Sequence, residues 1–145
     1  MLTLTGKEIE KIAGLLQKGM ICFYQLNNKK IHHLPDDEDY FNYDLTPEEE
    51  DILDEIDDDP DNFAEFTKLE ANQEHQVMEQ FADRIVKEKG FQDELFNALS
   101  KPKAATGFKF LIEDSKYKEK WAEYKLEKYK DWVLEQIDSF NYADE

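Results

Sequence analysis

The sequence predicts an α+β fold: a small antiparallel sheet of about three strands packed with helices, in the order α-β-β-α-β-α-α-α. Three observations predict it. Apolar residues recur every three or four positions near the start and through most of the second half, which is helical spacing. Between those stretches lie short runs rich in β-branched and aromatic residues, MICFYQL and NFAEFTKL. No internal repeat or flexible linker interrupts the 145 residues. One domain is therefore expected, with 1–70 as a sheet-containing half, 71–145 as a helical half, and a shared core.

The first helix is punctuated by Thr5 as cap, Glu8 completing a capping box and Leu4 with Ile9 at staple spacing. Ile9, Ile12, Ala13 and Leu16 share its apolar face, and Gly19 is placed to stop it. MICFYQL and IHHLP flank NNKK and read as a β-hairpin, with Asn27 and Asn28 suited to the positive φ of a tight turn. After the loop DDEDYFNYD a second helix opens with Thr46 as cap, Pro47 at its first position and Glu49 in the capping box. Its apolar stripe is thin, Ile52, Leu53 and Ile56, and its other face is acidic.

Pro60 ends that helix and NFAEFTKL reads as a third strand. A long helix is expected from Asn72, its cap, to Gly90, its stop, with Val77, Met78, Phe81, Ala82, Ile85 and Val86 facing the core. Phe91, Leu95, Phe96 and Leu99 mark the next helix, closed by Ser100-Lys101-Pro102. A turn at ATGF is followed by a last amphipathic helix from about Ser115 to Ile137.

A chain of this size can bury a substantial core, and 13% aromatic residues argue against disorder despite a mean hydropathy of −0.82. No apolar run approaches the roughly 20 residues of a membrane helix, and MLTLTGKEIEK lacks the order of a signal peptide. A soluble cytoplasmic protein with no membrane partner is expected. The lone Cys22 fits a reducing compartment.

Net charge is −17 and unevenly spread. Residues 1–35 carry +3, residues 36–67 carry −16 with no Lys or Arg, and the remainder carries −4. The central block repels nucleic acid and anionic lipid and leaves basic partners as the natural complement.

Within that block, DEIDDDPDNFAEF spaces Asp57, Asp59 and Asp61 like the start of a calcium loop. Asn62 stands where such a loop needs Gly, Lys68 where it needs a bidentate Glu, and Pro60 interrupts it. A solvated helix end handing over to a strand is the better reading. His32 and His33 alternate across a strand and cannot share a metal, and Cys22 reads as a buried small hydrophobe. No GxSxG elbow or glycine-rich phosphate loop occurs, and carboxylates are too abundant for any pair to mark an acid/base site. No cofactor, metal or catalytic residue is assigned, and a non-enzymatic role is expected.

Residues 101–130 hold nine Lys among aromatic residues. Such a segment can bind single-stranded nucleic acid by stacking and phosphate contact, or fill the core while the lysine stems cover it. Glu119, Glu123, Glu127 and Asp131 recur every four residues and favour the second reading.

GMICFYQLNNKKIHHLPDDEDYF, DDDPDNFAEFTKLEANQEHQVMEQFADRI and ALSKPKAATGFKFLIEDSKYKEKWAEYK together resemble the bacterial group called uncharacterised protein family 0158, in its Bacteroidetes form. The most specific stretches are Gly107 to Ser115 and Trp121 to Lys125. The resemblance implies a bacterial cytoplasmic protein and supplies no activity, cofactor or catalytic residue.

Two surfaces emerge. The first is an acidic face, Asp51, Asp54, Glu55, Asp58 and Asp59 within the block Asp36 to Glu65, expected to meet a basic protein surface in a binding or regulatory module. The second is a patch of Lys101, Lys103, Gly107, Phe108, Lys109, Phe110 and Trp121, expected to anchor on a partner, on nucleic acid or on the chain's own acidic helix.

Overall fold

The computed structural model describes residues 2–35 and 46–144. The loop DDEDYFNYD and the acidic residues Asp36 to Asp44 lie outside the described residues. The described chain is α+β, with elements α1 (Gly6–Gln17), β1 (Met20–Gln25), β2 (Ile31–Pro35), α2 (Pro47–Asp58), β3 (Phe63–Phe66), α3 (Ala71–Arg84), α4 (Lys89–Leu99), α5 (Ala104–Glu113) and α6 (Lys118–Asp144). They form two compact units, one of Met1–Lys68 with Tyr129–Glu145, the other of Leu69–Lys128.

In the first unit the punctuation of α1 is as the sequence predicts. The Thr5 hydroxyl accepts from the Glu8 N–H at 3.2 Å and a Glu8 carboxylate oxygen accepts from the Thr5 N–H at 2.8 Å. A cap of this kind is worth about 1 kcal/mol. Gly19 takes φ +87°, a left-handed conformation that costs glycine little, and so releases the chain into β1. The sheet order is β2-β1-β3, antiparallel throughout. Cys22 lies opposite His33 on one side and Phe66 on the other. Cys22, Tyr24, Ala64 and Phe66 therefore share one face, all of them buried. Helix α1 packs on β1 and buries Ile12, Ala13 and Leu16.

The hairpin turn differs from expectation in one respect. Lys29, not Asn27 or Asn28, carries the positive φ, at +61°. The Asn28 side chain instead accepts from the Lys30 N–H at 3.0 Å, and the Asn27 N–H donates to the Asn62 side chain at 3.1 Å. The end of β3 is tied to α6: the Trp132 indole donates to the Thr67 carbonyl at 2.7 Å and the Gln136 amide oxygen accepts from the Thr67 N–H at 2.9 Å.

The second unit is helical and corrects three expectations. The helix expected from Asn72 to Gly90 is capped by Glu70, ends at Arg84, and leaves Gly90 inside the first turn of α4. The break is held by distant groups. The Gln92 amide donates to the Ala82 and Asp83 carbonyls at 2.8 and 3.3 Å, and the Lys87 N–H donates to the Tyr117 hydroxyl at 3.0 Å. The turn expected at ATGF is helix α5, which brings the described helices after β3 to four. Helix α6 runs past Ile137 to Asp144.

The core of this unit is built around Phe81, whose ring meets Phe108 and Tyr117 edge-on at 6.4 and 6.2 Å and Trp121 and Tyr124 at 5.2 and 5.4 Å. Leu95, Leu99 and Ile112 complete it. Edge-to-face aromatic pairs add about 0.5–1.5 kcal/mol each beyond their buried area.

Candidate functional site

Helix α2 presents the acidic face. Its capping box repeats that of α1, with Thr46 and Glu49 exchanging hydrogen bonds of 3.0 and 3.1 Å. Pro47 occupies the first position. Ile52, Leu53 and Ile56 are only half-buried, so the helix rests on a narrow apolar edge. Asp51, Asp54, Glu55, Asp58 and Asp59 are all exposed, and none forms a salt bridge with a described residue. Asp51 with Glu55 and Asp54 with Asp58 are like-charged pairs four residues apart, each costing a few tenths of a kcal/mol of helix stability. After Asp58 the chain makes a 3-10 turn, Pro60–Asn62, and enters β3, the helix-to-strand hand-over read from the sequence.

The fold divides the lysine and aromatic patch: Lys101, Lys103, Gly107 and Phe110 line one groove, while Phe108 and Trp121 pack in or against the core. Phe108 is fully buried and lies in the core, so it cannot anchor a surface contact. Trp121 is half-buried with its ring 4.9 Å from that of Phe108. Gly107 makes no irregular turn. It lies inside α5, where a Cβ would stand 3.4 Å from that of Ala98 on α4, and two small residues let these helices approach. Phe110 is 72% exposed. Lys101 and Lys103 are exposed beside it on an open groove of about 360 Å³ between α4 and α5. Lys109 is exposed and 4.0 Å from Glu113, one turn on.

The Cys22 thiol is buried and pushed up to about 12 by that burial, with the charge of Lys11 acting the other way. His33, opposite it, is exposed. The His32 Nε2 lies 2.8 Å from the Gln25 side-chain oxygen, and burial lowers the imidazole pKa against the raising effect of Glu55. Among the described residues no three His, Cys, Asp or Glu side chains are grouped to hold a metal ion. Among them also, no helix is long and apolar enough to cross a membrane.

The model of an uncharacterised protein family, UPF0158, matches residues 38–144. The chain belongs to that family. The matched range takes in α2, β3 and all four helices that follow, hence both surfaces of this UPF0158 chain. Residues 19–37 of the first stretch that carries the resemblance fall before it. Comparisons with curated proteins and with solved structures find no match, so the residues of this UPF0158 chain carry the functional argument alone.

Sequence reasoning did not single out one further feature. Lys7 and Lys11 of α1 and Lys29 and Lys30 of the hairpin turn line a single concavity. The signals were the four-residue spacing of the first pair, the adjacency of the second, and the +3 charge of residues 1–35.

Proposed function

We propose that this protein is a non-enzymatic binding or regulatory module whose acidic helix α2, with Asp59 after it, docks on a basic protein surface in the bacterial cytoplasm. The observation that carries the reading is the exposure of Asp51, Asp54, Glu55, Asp58 and Asp59 without a cationic partner among the described residues. A helix that keeps like charges at four-residue spacing forgoes stability that neutral side chains would supply, and a cationic partner recovers it. Charge is also divided between the units. Leu69–Lys128 holds eleven basic and twelve acidic residues, a net of −1, which leaves −16 on the unit that contains α2. Such a field accelerates encounter with a cationic partner and weakens with salt over a Debye length of about 10 Å at 0.1 M.

Binding of nucleic acid through the lysine and aromatic patch is the weaker reading, because stacking needs rings free to face a base. Phe108 and Tyr117 are buried and Trp121 is packed into the core. Phe110 is the one exposed ring of the original patch.

Capture from a bacterial lysate on the immobilised full chain, with and without nuclease and at low and moderate salt, tests the proposal. Basic proteins retained after nuclease and released by moderate salt are expected. Recovery that disappears on nuclease treatment overturns the acidic-module reading.

A further inference from the structure

Within a unit of net charge −16, four of the seven basic residues line one open concavity of about 440 Å³. Lys7 and Lys11 lie one turn apart on α1. Lys29 and Lys30 come from the turn between β1 and β2. Adjacent residues in extended chain face opposite ways, yet both of these line the same concavity. The positive φ of Lys29 re-aims the chain between them, a conformation that costs a lysine about 1 kcal/mol relative to glycine. Two backbone bonds hold it there, from the Lys29 N–H to the Gln25 carbonyl and from the Gln25 N–H to the Lys30 carbonyl, both 2.8 Å.

None of the four ammonium groups forms a salt bridge with a described residue. Glu8 also lines the concavity, but its carboxylate is engaged by the Thr5 N–H and by the Tyr24 hydroxyl, whose pKa rises through burial and then through this contact. His32 forms part of the wall, held by Gln25 and with its ring 6.3 Å from that of Phe63. Lys7 stands in the first turn of α1, where the helix dipole adds positive potential.

We propose that this concavity binds a small soluble polyanion carrying two or more phosphate groups. Four ammonium groups match the charge density of linked phosphates and exceed what one carboxylate balances, and lysine serves as a point-charge phosphate ligand. The volume lies in the range of small-molecule sites, about 300–1,000 Å³. A long nucleic acid or an anionic bilayer meets the −16 field of the whole unit, whereas a compact ligand seated among the lysines feels chiefly their local field. The proposal does not rest on the partner proposed for α2, although Glu55 of that face acts electrostatically on His32 in the wall.

The test is an amide NMR titration of the full chain with inorganic tripolyphosphate at constant ionic strength, with sulfate as comparator. Saturable shifts confined to residues 7–11 and 29–32, absent with sulfate, are expected. Lys29→Gln with Lys30→Gln, and separately Lys7→Gln with Lys11→Gln, should each weaken binding about tenfold or more. Lys101→Gln with Lys103→Gln should leave it unchanged. Shifts that fail to saturate, spread over lysines elsewhere, or survive in both double variants of the concavity overturn the proposal. So does sedimentation with phosphatidylglycerol vesicles by a chain indifferent to tripolyphosphate, which would assign the phosphate to a lipid headgroup.

Discussion

The Tyr117 hydroxyl donates to the Glu88 Oε2 at 2.5 Å while Lys116 pairs with the other carboxylate oxygen. The same hydroxyl accepts from the Lys87 N–H, so one tyrosine from the segment before α6 secures the break between α3 and α4. Hydrogen bonds from Lys116 and then Tyr117 hold the Glu88 carboxyl at about 2, below its ordinary 4.5. A carboxyl lowered in the folded state contributes stability that is present above 4.5 and lost as pH falls toward 2. Glu88→Gln should therefore be less stable than the parent at pH 6, and the gap should close as pH falls through that window. Urea unfolding at stepped pH checks this, and a gap constant from pH 6 to pH 2 would refute it.

The two phenylalanines of GFKF should separate by energy. Phe108→Ala empties part of the core around Phe81 and is expected to cost about 3–5 kcal/mol. Phe110→Ala removes a ring that is 72% exposed and should change stability by less than about 0.5 kcal/mol. Denaturant midpoints measure both.

Gly107 offers a sharper test of the same segment. Its place inside α5 leaves room for one methyl at ordinary contact distance from Ala98. Gly107→Ala should stabilise by about 0.5–1 kcal/mol, the helix propensity gained. Thermal unfolding would show a raised midpoint; a fall would mean that the space beside Ala98 is too tight for a methyl.

Cys22 should be inert. Its thiol is fully buried and pushed up to about 12, so the reactive thiolate is scarce at neutral pH. Iodoacetamide should label it only on unfolding in denaturant, with a rate that tracks loss of structure. Rapid labelling of the native chain is the contrary result.

What was legible in the sequence was local. Thr5 with Glu8 and Thr46 with Glu49 start their helices through contacts three residues apart, and Gly19 ends one by its own backbone freedom. The break at 85–88 was not legible, because Val77 to Val86 keeps a helical pattern and the groups that hold the break, Gln92 and Tyr117, come from elsewhere in the chain. Helix α5 was missed for a related reason. Gly107 reads as a turn residue when only neighbours in sequence are considered, whereas it stands inside α5 facing Ala98 of α4. The acidic face was visible because charge needs no partner to be counted. The lysine concavity joins two elements and needs the positive φ of Lys29, which lysine does not announce.

Simultaneous neutralisation of Asp51, Asp54, Glu55, Asp58 and Asp59 to Asn or Gln, followed by quantitative capture from lysate at low salt, tests the binding role of α2 most directly. The reading predicts unchanged or slightly raised thermal stability, since like-charged pairs are relieved, together with loss of most of the nuclease-resistant basic proteins. Equal recovery of those proteins by the neutralised and parent chains would contradict it.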